Sequence, residues 1–173
     1  VQVFESTRGL QNGDSVEFLG KMLEATLGPG LMSSVYDGLQ NDLTTMEGVF
    51  LKRGEYTDPL NHEKLWEFKP IAEVGDKVEA ASWLGEVKEG WLPHKIMVPF
   101  SFKGEYTVKS ITKAGEYNID TVIATLTDEQ GEDHDVTMVQ KWPVKVAVKA
   151  YAQKPRPRKI METGVRVIDT FDP

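Results

Sequence analysis

The chain has 173 residues, enough for one well-cored domain or one domain with an appendage. Apolar residues at 40% and charged ones at 27% exclude a disordered chain, and a net charge of −7 argues against a general role on nucleic acid. The absence of cysteine excludes disulfide scaffolds and thiolate metal sites, and no apolar run nears the roughly 18 residues of a membrane span, so a soluble, cytoplasmic chain without membrane insertion is expected.

The first signals along the chain are of β-structure. "VQVFE" alternates with period two, "SVEFLG" follows the turn residues Asn12, Gly13 and Asp14, and together they predict a hairpin. The chain opens on that strand pattern without a methionine and closes on the apolar "VRVIDTFDP", so it is expected to be a piece of a longer protein. Gly28, Pro29 and Gly30 then break the chain, and "LMSSVYDG" has room for about two helical turns before Gly38. After the "GEYTDP" loop comes "KLWEF".

The stretch from 71 to 127 is the most informative. "VGDKVEAASWLGEV" (74–87) and "AGEYNIDTVIATL" (114–126) resemble each other at an offset of about forty residues, each with a glycine turn, an acidic residue and a short apolar strand. An internal repeat of this kind implies pseudo-symmetric strands around one core. "HKIMVPFSFKGEYTVKSI" supplies two more strands separated by a glycine-containing turn. "VTMVQKWPVKV" adds a strand that Pro143 interrupts, which suits an edge or an exit. "QKPRPRK" then reads as a stiff solvated connector, and "ETGVRVIDTF" as a short helix from a Thr163 cap.

Candidate chemistry is sparse. Of His62, His94 and His134, only His134 has acids on both sides, in "GEDHD"; strand alternation lets it share an ion with Glu132 while Asp133 and Asp135 point away, but two ligands make no specific metal site and a solvated turn is the simpler reading. Asp169 can pair with Arg166 at helical spacing, as a structural contact. Trp66, Trp83, Trp91 and Trp142 read as core or interface anchors. No phosphate-cradling glycine loop, dinucleotide fingerprint or serine elbow occurs. We therefore expect no catalytic, cofactor-binding or metal-binding residue in this chain.

Lys95 in "PHKIMVP" raises one alternative. A lysine between the halves of a pseudo-symmetric barrel resembles the lipoyl and biotinyl carrier domains, in which the modified lysine sits at an exposed hairpin tip. Here His94 stands where those carriers have methionine or an acid, and Pro99 follows closely. An ordinary strand-end lysine is the better reading, and a free-standing carrier or binding module is kept as the alternative.

Several blocks read together resemble the catalytic A (alpha) subunit of the V-type and A-type rotary ATPases. "LGPGLMSSVYDGLQNDL" is similar to that family's "LGPGI…FDGIQRPL"; "NHEKLWEF", "HKIMVP" and "MVQKWPVKV" match blocks of its inserted bulge; "TGVRVIDTFDP" resembles "TGQRVIDTFFP", the lead-in to the nucleotide-binding domain. The blocks occur in family order and span nearly the whole chain. The chain departs from the pattern in "LQNDL", at Val165 and at Asp172, which touches fine contacts at the domain junctions.

The resemblance implies a mainly β fold: a barrel-sandwich hybrid (the bulge), preceded by partial strands of the N-terminal β-barrel and followed by a short C-terminal helix. It implies three regions: 1–45 as the end of that barrel and the glycine-proline joint, 46–140 as the bulge, and 141–173 as the return connector toward a nucleotide-binding domain. The family's phosphate-binding loop lies beyond Pro173, so Mg-ATP would belong to the parent subunit. The parent would couple ATP hydrolysis or synthesis to proton or sodium transport, on the cytoplasmic face of a membrane, with the B subunit and the central and peripheral stalks as partners. For the isolated piece, the strand edges of residues 1–20 are expected to allow pairing with a second copy.

Overall fold

Alternation of apolar and polar residues builds nearly all of the regular structure of this chain. The computed structural model describes residues 7–18, 20–32, 34–45, 57–150, 153, 156, 158–159 and 161–171. Its strands are β1 (Glu24–Leu27), β2 (Trp66–Pro70), β3 (Lys77–Val78), β4 (Trp83–Glu89), β5 (Leu92–Met97), β6 (Tyr106–Ile111), β7 (Gly115–Tyr117), β8 (Ala124–Thr127), β9 (Asp133–Val136) and β10 (Gln140–Pro143), and one helix follows, α1 (Arg166–Phe171).

Two four-stranded sheets carry the core, ordered β5-β4-β2-β7 and β9-β8-β6-β3. The two orders coincide when β2, β3, β4 and β5 are matched to β6, β7, β8 and β9. Each half therefore lends one short strand, β3 or β7, to the other half's sheet. All of these pairings are antiparallel. The match extends to single residues: Trp66, Phe68, Ile96 and Val98 are buried, and so are Tyr106, Val108, Val136 and Met138, each forty positions further on. This is the internal repeat seen in the sequence, and it produces the barrel-sandwich hybrid that the family resemblance implied.

The exchange of strands mixes the two cores. One cluster gathers Val78, Leu84 and Val98 with Val108, Leu126 and Val136. The other gathers Trp66, Phe68 and Val87 with Ile119, Ile123 and Met138, and Ile111 packs against both. Each cluster draws on both halves, so neither half can bury its apolar face alone.

Gly85 is required by this packing. A Cβ there would lie 2.3 Å from Cε2 of the fully buried Phe68 ring and 2.8 Å from the Lys69 carbonyl oxygen. Gly75 leads the turn before β3 with φ +96°, as its half-repeat requires. Its counterpart Gly115 instead opens β7, with the Tyr117 hydroxyl 3.0 Å and its ring 3.2 Å from where a Cβ would be, so only one of the two expected glycine turns forms.

Other expectations are corrected. The first strand of the predicted N-terminal hairpin lies outside the described residues, and 15–18 of the second form no strand; Val16 and Phe18 are exposed, with no apolar face to cover them. The helix expected at "LMSSVYDG" does not form. Tyr36 bridges Asp42 in an antiparallel contact, and the chain between them turns on Asp37. The strands of "HKIMVPFSFKGEYTVKSI" do form, as β5 and β6, but in different sheets. β10 is an exit strand as expected: it ends at Pro143 and pairs with β1 in a separate two-stranded sheet. β1 itself carried no strand signal in the sequence. Its four residues are all half-buried, so no alternation marks it.

At the far end α1 begins just after Thr163, whose Oγ1 accepts the Val165 N–H at 3.2 Å. Asp169 does not turn to Arg166. Its carboxylate accepts the Thr163 hydroxyl (2.7 Å), the Thr163 N–H (2.9 Å) and the Gly164 N–H (3.0 Å), and the Thr163 hydroxyl leads in holding its pKa below the usual carboxylate value. The positive end of the first helical turn favours this arrangement over a solvated ion pair. Lys154, Pro155 and Pro157 of the proline-basic connector lie outside the described residues, as does Asp172.

Candidate functional site at the glycine-proline joint

The segment after β1 meets the barrel-sandwich at one buried carboxylate. Glu89 ends β4 with the same parity as Val87, so its side chain points inward, and only 6% of it is exposed. One oxygen, Oε1, accepts the N–H groups of Gly30 at 2.8 Å and Met32 at 2.9 Å. The other, Oε2, lies 2.6 Å from Nδ1 of His94 across the hairpin. A buried carboxylate is tolerated only when its lone pairs are filled, and here both oxygens are engaged.

The joint is shaped to reach that acceptor. Gly30 has φ +112°, which turns its N–H and that of Met32 toward one point. Gly28 sits where a Cβ would meet Leu60 and Val139 side chains at 3.1 Å, so the backbone can lie directly on the core. Pro29 is buried between them.

The second half of the joint is held by its own polar side chains. Asp37 accepts from the Asn41 side-chain amide (2.8 Å) and from the N–H groups of Asn41 (2.7 Å) and Leu39 (2.9 Å); the Asn41 amide is foremost in lowering its pKa. Gln40, in the left-handed region at φ 65°, pairs its amide with both backbone groups of Thr26 in β1, at 2.8 and 2.6 Å. Asn41 is buried and accepts the Thr57 N–H at 3.0 Å, while the Asp42 N–H donates to Thr57 Oγ1 at 2.8 Å. A proline at 42, as in the family's pattern, would have no such N–H. Tyr36 donates its hydroxyl to the Pro59 carbonyl at 2.8 Å. The joint is thus hydrogen-bonded to β1, to the 57–59 loop and to the β4–β5 hairpin.

The histidines noted in the sequence are scattered. His62 bridges Asp120 (Nδ1, 2.6 Å) and Asp58 (Nε2, 3.0 Å), tying the 58–62 loop to the turn before β8. Asp120 foremost, with Asp58, raises its pKa above 6.5. A group whose pKa is raised on folding stabilises the fold below its unfolded pKa and loses that contribution as pH rises through the folded value. The stability difference between wild type and His62→Asn should therefore be largest below the ordinary histidine value of 6.5 and shrink as pH rises through the raised folded value; urea unfolding at several pH values measures it, and a constant difference would refute an imidazolium role.

His134 pairs with Asp128 at 3.0 Å and stands edge-on to the Tyr106 ring, rather than sharing a site with Glu132. Asp133 and Asp135 do face the other way, toward Lys109 with Thr127 and toward Thr125 respectively. Among the described residues no three His, Asp or Glu side chains converge to hold a metal ion. The tryptophans divide: Trp66 is core, Trp142 donates its N–H to the Val146 carbonyl at 2.7 Å with Phe100 edge-on to it, and Trp83 and Trp91 face solvent.

Glu89 and Gln40 went unnoticed in the sequence. For Glu89 a signal exists: it continues the inward parity of Val87 in "LGEVKE", and an acid at a core-parity position needs a buried partner. Gln40 carries no such signal.

The sequence model of the ATP synthase alpha/beta subunit barrel-sandwich domain matches residues 57–145, which is half of the chain. The chain belongs to that family. It is 47% identical over 176 residues to the V-type ATP synthase alpha chain of Protochlamydia amoebophila, covering 100% of this chain and 30% of that one. It is 46% identical over 176 residues to the V-type ATP synthase alpha chain of Treponema denticola, with the same coverage. Against that of Borreliella afzelii it is 47% identical over 175 residues, 99% of this chain and 30% of the relative. The chain thus spans about 30% of the length of the relatives it matches.

The carrier reading finds no support in these comparisons or in the geometry. The β4–β5 hairpin turns at Gly90 and Trp91, whereas Lys95 lies four residues inside β5, opposite Glu86. Its ammonium is bonded to Glu86 and sits 5.0 Å from the Trp83 ring centroid. A paired lysine in mid-strand is no attachment tip. Among the described residues no helix is long and apolar enough to cross a membrane.

Proposed function

We propose that this chain is part of the catalytic A (alpha) subunit of a V/A-type rotary ATPase or ATP synthase and acts in it as a structural and assembly platform. Residues 1–45 end the N-terminal β-barrel and form the joint, 46–140 form the bulge, and 141–173 lead toward the nucleotide-binding domain. The intact subunit hydrolyses or makes ATP, coupled by rotation to proton or sodium transport, with the B subunit and the central and peripheral stalks as partners. It lies peripherally on the cytoplasmic face of a membrane. Mg-ATP is held outside this chain.

The observation that carries this reading is the identity of 46–47% along essentially the whole chain to proteins called V-type ATP synthase alpha chain. The geometry supports a mechanical part. Glu89 and the Asn41–Thr57 contacts tie the joint to the barrel-sandwich, so a force entering through the joint is carried into β4 and the 57–59 loop instead of being lost in a flexible linker.

Two measurements test it. Reading the gene past the codon for Pro173 should reveal a G-x-x-x-x-G-K-[ST] loop; its absence there would sink the reading. Titration calorimetry of this chain with Mg-ATP should show no binding, since a helix N-terminus with a glycine cradle is what holds the phosphates; micromolar affinity would place nucleotide binding in the bulge instead.

A further inference from the structure

Asn12, Gly13 and Asp14 form a turn at the surface. The Asp14 N–H donates to the Gln11 carbonyl at 3.3 Å, and the Asp14 carboxylate accepts the Gln11 N–H at 2.8 Å. Gly13 takes φ +106°, which suits the third position of such a turn. Residues 7–18 are all exposed, and none of them pairs in a strand. A Cβ built at Gly13 would meet nothing within 4 Å.

The chain has four asparagines, and the other three serve as references. Asn41 accepts the Thr57 N–H at 3.0 Å through Oδ1 and donates its amide to Asp37 at 2.8 Å. Asn61 Oδ1 accepts the N–H groups of Glu63 (2.9 Å) and Lys64 (3.1 Å). Asn118 Oδ1 accepts the Thr121 hydroxyl at 2.7 Å and its N–H at 3.0 Å. Each of these amides is clamped, and each precedes a residue with a side chain: Asp42, His62 or Ile119. Asn12 precedes a glycine. Neither its side-chain amide nor the Gly13 N–H makes a hydrogen bond among the described residues.

The side-chain carbonyl carbon of an asparagine and the next backbone nitrogen can close a five-membered ring, and intramolecular attack is fast wherever the chain can swing the two together. Glycine resists that motion least, because no Cβ crowds its nitrogen or restricts its φ. At the three clamped asparagines, ring closure must first break the bonds that fix the amide.

We propose that Asn12 is a site of spontaneous deamidation, with water as the co-reactant. The Gly13 nitrogen bonds to Cγ of Asn12, the Cγ–Nδ2 bond breaks, and Nδ2 leaves as ammonia with the proton from Gly13. Water then opens the cyclic imide at either carbonyl. Breaking the new bond to Cγ gives aspartate; breaking the original main-chain bond gives isoaspartate, whose backbone runs through the former side chain. Nothing is oxidised or reduced. Either product sets a second carboxylate beside Asp14, and isoaspartate also adds a methylene to the turn, so the Gln11–Asp14 bonds are loosened. Nothing in this chemistry depends on the platform reading.

The test ages the full-length subunit in buffered heavy-oxygen water at neutral and mildly alkaline pH, and reads its tryptic peptides by mass spectrometry. The expected change is confined to the peptide Gly9–Lys21. It exchanges its amide for an acid carrying one heavy oxygen, and it separates into two isomers with isoaspartate in excess. The rate rises with pH, because the attacking nitrogen must lose its proton. It stays within about tenfold of the rate in a free peptide of the same sequence, since an exposed turn gives little protection. Gly13→Ala should slow it at least about tenfold by crowding that nitrogen. A folded subunit that protects Asn12 while the free peptide converts, aspartate as the single product, equal conversion at Asn41, Asn61 or Asn118, or a rate indifferent to Gly13→Ala would each overturn the proposal.

Discussion

Glu89→Ala is expected to destabilise the chain by about 3–5 kcal/mol, because it strips a buried network of its acceptor and leaves every partner behind. The N–H groups of Gly30 and Met32 would lose their shared oxygen, and His94 would face a void where a carboxylate stood. Glu89→Gln retains an oxygen for the two N–H groups but turns the acceptor facing Nδ1 of His94 into an N–H donor, so it should cost less than alanine, about 1–2 kcal/mol. Chemical denaturation of the two variants measures the difference, and amide exchange at Gly30 and Met32 should speed up in the alanine variant before global unfolding. A loss under about 1 kcal/mol for Glu89→Ala would mean that the joint is held elsewhere.

Gly85→Ala should cost about 3 kcal/mol or more, at the upper end for an overpacked core. The added methyl would meet ring atoms of Phe68 at 2.3 and 2.5 Å, and Phe68 is fully buried with no free volume to enter. Phe68→Ala alone should cost about 3–5 kcal/mol by leaving a cavity. The double variant should be less damaging than the sum, because removing the ring removes most of the clash; the contact with the Lys69 carbonyl at 2.8 Å remains, so rescue is partial. Simple additivity in the cycle would show that β4 shifts bodily to admit the methyl. Together the two sites separate the supports of the molecule: Gly85 governs the packing of the sheets, and Glu89 governs how the joint is fixed to them.

The strands around the core were legible for a physical reason. Burial of one sheet face imposes period two, and the repeat wrote that period twice, so Trp66 and Phe68 announce what Tyr106 and Val108 do. The exit at Pro143 and the cap at Thr163 were legible because proline and a capping hydroxyl act on their immediate neighbours. The joint was misread for the complementary reason. "LMSSVYDG" has room for two helical turns, but polar side chains turn the chain back instead: Asp37 accepts the N–H groups of Leu39 and Asn41, Tyr36 bridges Asp42, and Gln40 takes up Thr26.

By itself the sequence determined the β class, the two pseudo-equivalent halves, the family, and the lack of a phosphate-binding loop within these residues, since each of these is written in residue type and spacing. Only the tertiary structure decided that β3 and β7 change sheets and that the hairpin is turned by Trp91 and not by Lys95. The same holds for Glu89, which reaches back to Gly30 over 59 residues. Such contacts join positions whose separation carries no period, and their energy exists only once both partners are buried at the same place.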